Sequence, residues 1–500
     1  MEFIDNPAER CPADRPLDGP LLKVATLALI LIGLAGCSVG PEFRTPAPPT
    51  DTSYLRNQPV SVSAEGVEAQ SLTVVSDSTG AWWHALGSAR LDALVDEGLA
   101  NNHDVSRALA NLDRARHLSD AFRANTLPQV DLTASSGHVR YGAAFLGDQA
   151  KDFAPYSYYA MGPTVSYDFD LFGRIRRSVE RSDALAELKV DELDAVTLNV
   201  SGDIVNEVVS AASTRAQLDL LRSMLVSNEA RLHITEISRS KGGATQVELE
   251  EQRRAIDQVD SEIAIAQQRL ATTQDALAIL VGRTPGKWTA PDIGLEELHL
   301  PHDIPLMLPS ALVRQRPDIR AAEAGLHAES AQIGVATANM YPDIALTGSL
   351  SAEGLFAGPS ELAWQALGGI SAPVFEGGRL RAQKQAAEAG YQAALAQYHQ
   401  VVLKAFAEVA DSLNMLSNDA TLDAAVSQST ESARRTEELN KIAYARGASS
   451  FTEMLQSTDN RQLFELKRVQ IRGRRLADSA RLMLVTAGTV HDGNLGTASR

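Results

Sequence analysis

A mixed, mainly α fold is what the sequence predicts. Long antiparallel helical hairpins of coiled-coil type are combined with four amphipathic strands, and the set occurs twice. Three observations point there. Landmarks recur in one order: Leu127-Pro-Gln-Val-Asp-Leu-Thr-Ala-Ser against Tyr341-Pro-Asp-Ile-Ala-Leu-Thr-Gly-Ser, Phe172-Gly173-Arg174 against Gly377-Gly378-Arg379, and Lys241-Gly242-Gly243 against Ala445-Arg446-Gly447. Their offsets are roughly 204 to 214 residues, the mark of an internal duplication. Period-two runs flank the first two landmarks. Long proline-free stretches follow them, with apolar residues every seven positions.

Taken in order, residues 1–36 read as a signal peptide. Lys23 precedes an apolar run, Val24 to Leu34, and then Leu34-Ala35-Gly36-Cys37-Ser38. That layout predicts cleavage before Cys37 and lipid on its thiol. The run is too short to span a bilayer, which needs about twenty helical residues. Ser38 stands where an Asp would hold such a chain at the inner membrane, so the outer membrane is expected. Polar residues 1–20, with Pro7, Pro12, Pro16 and Pro20, read as a spurious extension of the start.

Residues 37–80 are rich in Pro, Ser and Thr and predict an extended linker. The first repeat is expected over 81–284, opening with a helical pattern from Trp82 to Asn125 that Leu127-Pro128 stops. An irregular middle segment is expected over 285–309, the second repeat over 310–488 and a polar tail over 489–500.

The clearest strand is Tyr159 to Leu171. Tyr159, Met161, Val165, Tyr167 and Phe169 alternate with Ala160, Gly162, Thr164, Ser166 and Asp168. Ile344, Leu346 and Leu350 alternate with Ala345, Thr347 and Ser349. Trp364 to Val374 alternates too, with Leu367 and Phe375 breaking its polar face. Val130 and Leu132 against Asp131 and Thr133 are the weakest run. Such strands suit a soluble sheet on a core, or a membrane barrel with apolar side chains facing lipid. Each run is about ten residues, enough for a tilted membrane strand. Four strands cannot close a barrel, since known single-chain barrels start at about eight. In lipid every backbone group must be paired, so other copies of the chain would have to complete it. Arg140 to Tyr158 would be an outward loop.

Arg174 to Ser240 predicts one helix or two stacked ones. From there Leu249, Ile256, Ile263, Leu270 and Leu277 recur strictly, with Gln252, Val259, Ala266, Thr273 and Leu280 as a less perfect second row. Leu455, Val469, Leu476 and Met483 repeat this more loosely, with Gln462 as the exception.

The formal net charge of −17 argues against nucleic acid as a partner. The two cysteines are Cys11 and Cys37, so the mature chain has one and no internal disulfide. The ten histidines show no metal-ligand spacing, and there is no phosphate loop or nucleophile elbow. No enzyme, cofactor or metal is therefore expected. A non-conducting envelope scaffold would not need the alternating strands.

In this setting the chain resembles the TolC-like outer membrane factors, in the NodT-type lipoprotein branch that serves resistance-nodulation-division efflux pumps. Gly36-Cys37-Ser38-Val39-Gly40-Pro41, Trp82-Trp83, Phe172-Gly173-Arg174, Arg316-Pro317-Asp318-Ile319-Arg320, Tyr341-Pro342 and Phe375-Glu376-Gly377-Gly378-Arg379 carry the resemblance. It implies a homotrimer with a twelve-stranded transmembrane barrel and a periplasmic helical tunnel, lipid-anchored in the outer membrane. It implies a periplasmic adaptor and an inner-membrane transporter as partners, and drugs or other small solutes as cargo. The same architecture also serves type I protein secretion.

The resemblance further implies a gate at the periplasmic tip, after the hairpin turn. Phe451, Glu453 and Gln456 fall in its window, although Gln456 stands where the family often has Asp. Glu248 and Glu250 fall in the pseudo-equivalent tip. Asp168 and Asp170 would point into the barrel lumen near a strand end, as cation-favouring groups or as a plain polar rim.

Overall fold

The structure is a computed structural model describing residues 38–75, 80–140, 154–356 and 358–488. Cys37, the signal segment 1–36 and the tail 489–500 lie outside the described residues, as does most of the loop expected after Arg140.

The described elements run β1 (Ser61–Val62), β2 (Gln70–Val75), α1 (Ala89–Asn101), α2 (His103–Ala124), β3 (Gln129–Val139), β4 (Tyr156–Phe169), α3 (Arg174–Ser240) and α4 (Gln246–Leu280). Then follow β5 (Asp303–Met307), α5 (Pro309–Gln315), α6 (Pro317–Ala338), β6 (Asp343–Leu355), β7 (Ser360–Ser371), α7 (Arg379–Ala445) and α8 (Phe451–Thr486). Two compact units emerge. One is built on Leu118–Ser182 and Ala328–Tyr391 with the segment ending at Phe43; the other on Arg44–His117, Asp183–His327 and the chain from Gln392.

The duplication is close to an element-by-element copy. α2 and α6 have 22 residues each, α3 and α7 have 67 each, and α4 and α8 have 35 and 36. The stretch from Arg174 is thus one helix, on the order of 100 Å long at 1.5 Å per residue. It ends where Gly242 adopts φ +77°, and α7 ends at Gly447 with φ +71°. In both, the last turn closes with the same paired bonds. The amide of Gly243 donates to the Ser238 carbonyl and that of Ala448 to the Ala443 carbonyl, each at 2.8 Å. Gly242 and Gly447 likewise donate to Arg239 and Tyr444. These are Schellman stops, which favour glycine at the left-handed position. The structural counterpart of Gly447 is therefore Gly242, one residue from the alignment read in the sequence.

The expected helix from Trp82 to Asn125 is divided. A 3₁₀ turn at Trp82–Leu86 precedes α1, and α1 parts from α2 at Asn102. Asn102 has extended backbone, and its Oδ1 accepts from the amides of Asp104 (2.7 Å) and Val105 (3.2 Å). Its Nδ2 donates to the Leu280 carbonyl. The side chain thus starts the second helix while tying it to α4.

The seven-residue seam is real, with Leu249 and Leu277 of the first row buried at its ends, but between them the depth of the two rows is reversed. Val259, Ala266 and Thr273 of the second row are buried, whereas Ile256, Ile263 and Leu270 are only partly covered. In α8 the exception, Gln462, is itself buried, as are Leu455 and Leu476.

The segments expected as a linker (37–80) and an irregular middle (285–309) contain a three-stranded sheet ordered β1-β2-β5, with β2 and β5 parallel. Arg475, 2% exposed, holds this sheet to the helices. It donates to Asp423 Oδ2 (2.7 Å), to the Glu68 carbonyl (2.9 Å) and to Gln70 Oε1 (3.4 Å). Gln70, fully buried, donates onward to the Pro301 carbonyl and to Ser479.

Candidate functional site

The four-stranded sheet is antiparallel throughout, in the order β3-β4-β6-β7. Residues directly opposite in such a ladder share a face. Val130 faces Val165, Leu132 faces Pro163, Tyr167 faces Leu346, and Leu350 faces Trp364. On the other face Asp131 meets Thr164, Asp168 meets Ala345, Thr347 meets Leu367, and Ser349 meets Gln365. The register therefore collects one continuous apolar face and one small or polar face. The apolar face is bare, with Leu132, Leu362, Trp364 and Ile370 each at least 70% exposed. β3 and β7 each have one unpaired long edge among the described residues.

At the end of β4 the two expected lumen acids part company. Asp168 lies on the polar face, 3.5 Å from Arg174, which also reaches Asp343 at 3.4 Å. Asp170 lies beyond the strand. Its carboxylate accepts from the amides of Ile175 (3.0 Å) and Arg176 (2.8 Å), so it caps the start of α3. β7 ends at Ser371, so Val374 and Phe375 fall outside it.

The hairpin tips are built alike. After the Schellman stop, Thr245 and Ser450 cap α4 and α8, and Glu248 and Glu453 complete capping boxes. The Glu453 carboxylate accepts from the Ser450 amide and the Ser449 hydroxyl, each at 2.9 Å. Glu248 accepts from the Thr245 amide at 2.7 Å, and from Thr452 of the other tip at 3.3 Å. These backbone hydrogen bonds, chief among the causes, hold both carboxyls below their ordinary pKa. Glu250 is exposed and accepts from Gln246 and Arg253. Gln456 is exposed, and Phe451 packs its ring 5.6 Å from Tyr444.

A layer of ion pairs braces these helices near the tips. Arg461 joins Glu437 (2.7 Å) to Glu465 (2.5 Å), and Lys441 also reaches Glu437 (3.0 Å). Burial works against the Glu437 charge, but Lys441, Thr458 and Arg461 outweigh it and keep its carboxyl low. Arg231 of α3, nearly buried, pairs with Asp459 of α8.

Among the described residues no helix is long and apolar enough to cross a membrane, and no cluster of acids, His or Cys could hold a metal ion. A sequence profile described as "Outer membrane efflux protein" matches residues 94–283 and 308–488, in two blocks that follow the duplication. The chain belongs to that family. This outer membrane efflux protein is 30% identical over 400 residues to the outer membrane protein OprJ of Pseudomonas aeruginosa, covering 79% of this chain and 80% of that one. It is 29% identical to the toluene efflux pump outer membrane protein TtgI of Pseudomonas putida, covering 87% and 91%. It is 28% identical to the cation efflux system protein CusC of Escherichia coli, again covering 87% and 91%. Its fold matches the outer-membrane channel OprN with a TM-score of 0.81 at 24% identity, over 91% of this chain and 100% of that one. The Campylobacter jejuni CmeC channel matches with a TM-score of 0.79 at 20% identity, over 91% and 96%. The efflux assignment and the outer membrane location read from the sequence stand on this membership.

Of the residues singled out in the sequence, the structure brings Glu248 and Glu453 to neighbouring tips and leaves Gln456 and Glu250 exposed there. It separates Asp168 from Asp170 by role. The sequence reading missed the Arg461 and Arg231 braces and the Arg475–Gln70 network. For the tips a signal existed, because Thr245-x-x-Glu248 and Ser450-x-x-Glu453 both carry the capping-box spacing.

Proposed function

We propose that three copies of this chain close a twelve-stranded barrel in the outer membrane and continue as a periplasmic helical duct, through which drugs or other small solutes leave passively. One observation carries the reading: a four-stranded sheet with a bare apolar face and two unpaired edges. In hydrocarbon an unpaired edge costs several kcal/mol per orphaned group, and closure by sister chains removes both edges.

On this reading Cys37 carries lipid on the periplasmic side, and Cys37→Ser abolishes labelled-acyl incorporation; retained label refutes the anchor. A periplasmic adaptor and an inner-membrane resistance-nodulation-division transporter deliver the solute. Relatives named for toluene and cation efflux support solute export here. Phe451, Glu453, Gln456, Glu248 and Glu250 line the gate at the tips, and Asp168 faces the lumen. The chain itself performs no catalysis; its contribution is a wall and a gate.

Conductance of the purified protein in planar bilayers tests this. Discrete steps that grow when the tip ion pairs are broken are expected. A protein that inserts but never conducts, even with those pairs removed, refutes the duct.

A further inference from the structure

The two repeats fix more than the strand count. Along β4–β6, where the first repeat meets the second, partner numbers add to 513, from Tyr158 with Leu355 to Phe169 with Ile344. Within the repeats, β3–β4 partners add to 295 and β6–β7 partners to 714. Repeat offsets follow from the elements. β3 and β6 begin at Gln129 and Asp343, 214 positions apart, and α3 and α7 begin at Arg174 and Arg379, 205 apart. Taking 214 for β3 to β6 and 205 for β4 to β7 reproduces the change from 295 to 714, so the hairpins share one register. The longer first turn absorbs the difference between the two offsets.

We propose that β7 of one copy pairs antiparallel with β3 of the next in the register that repeats β4–β6, with partner numbers adding to 504 and β7 prolonged to Val374. This rests on the three-copy reading and deepens it. The repeat counterparts of Phe169 and Ile344 are Val374 and Val130, which are 94% and 67% exposed in the single chain. They become the marginal pair of the new ladder, with Ala372 opposite Leu132 and Ile370 opposite Ala134.

Face matching supports this register independently. A slip of one residue would set apolar side chains against Thr133 and Ser135 and mix the two faces. In the register proposed, Ser371 meets Thr133 on the polar side. Leu367, the apolar exception on that face, comes opposite Gly137. A Cβ on Gly137 would stand 2.6 Å from the Tyr158 ring, so that ring already covers the site and offers Leu367 an apolar neighbour. Pro373 lacks an N–H and removes at most one rung.

Cysteine pairs in the mature, acylated chain test the register, since Cys37 is then the one remaining native cysteine and its thiol is blocked. Under mild oxidation Ile370→Cys with Ala134→Cys should give a cross-linked ladder ending at three copies, and so should Val374→Cys with Val130→Cys. Single substitutions should give none. Cross-linking of Ile370→Cys with Leu132→Cys or Ser136→Cys in preference, in protein of three-copy mass, overturns the register and leaves the trimer standing. A ladder running past three, or no product from any pair in protein of single-copy mass, overturns the three-copy reading itself. Using both the 370/134 and 374/130 pairs guards against one variant failing to assemble.

Discussion

Glu453 folds its carboxylate back onto the amide of Ser450 at 2.9 Å, while its own amide donates to the Ser450 hydroxyl at 3.1 Å. An acid placed at the gate by resemblance is thus also the third residue of a helix cap. Its carboxyl is held low chiefly by the Ser450 amide, with the Ser449 and Ser450 hydroxyls adding, so the cap's contribution is complete above the ordinary glutamate pKa. It is lost as pH falls through the lowered folded value. Ser450→Ala should loosen the start of α8 by about 1 kcal/mol, read as faster amide exchange over residues 447–456. Unchanged exchange there would show that the cap does not hold the tip.

The Arg231–Asp459 pair joins the long helix of the first hairpin to the short helix of the second. Asp459→Ala strands a nearly buried guanidinium, left with Ser227 as a neutral partner. Asp459 is itself half exposed, so the cost belongs at the low end of the ~3–5 kcal/mol seen for broken buried pairs. The expected result is higher single-channel conductance. Unchanged conductance would remove this pair from the gate.

Asp419 in α7 is 1% exposed, pairs with Arg474 at 2.8 Å and lies against Asp478. Burial first, and then the neighbouring Asp478, push its pKa up to about 7. The native chain therefore holds a proton that the unfolded chain releases, and this group lowers stability as pH rises from about 4 to about 7. Asp419→Asn should gain in melting midpoint over the parent protein between pH 5 and pH 8. A difference that stays constant with pH would contradict the assignment.

Arg475→Met should keep the bulk of the buried side chain and remove its charge. Asp423, the Glu68 carbonyl and Gln70 then lose a donor. A loss of ~3 kcal/mol or more is expected, felt first as proteolytic cleavage around β1 and β2. Protection equal to that of the parent would mean that the sheet holds without this residue.

The sequence disclosed what repeats and what alternates. Gly243 and Gly447 marked the hairpin turns, the first within one residue of the stop at Gly242, and the Tyr159–Phe169 alternation survives into the ladder because one face needs apolar residues throughout. What it hid depends on distant partners. β2 pairs with β5 across more than two hundred residues, and Pro305 inside β5 disguises it as loop. Asn102 looks like a tolerable helix residue until the Leu280 carbonyl is beside it. Asp170 continues the strand alternation by number, yet the free amides at the start of α3 claim its carboxylate. Val259, Ala266 and Thr273 look weaker than Ile256, Ile263 and Leu270, yet they are the more deeply buried.

The copy number of the detergent-purified protein, measured by native mass spectrometry, bears most directly on the central claim that one chain supplies only part of a barrel wall. The account predicts a mass of three chains that persists on dilution. A stable single chain, soluble without detergent, would contradict it.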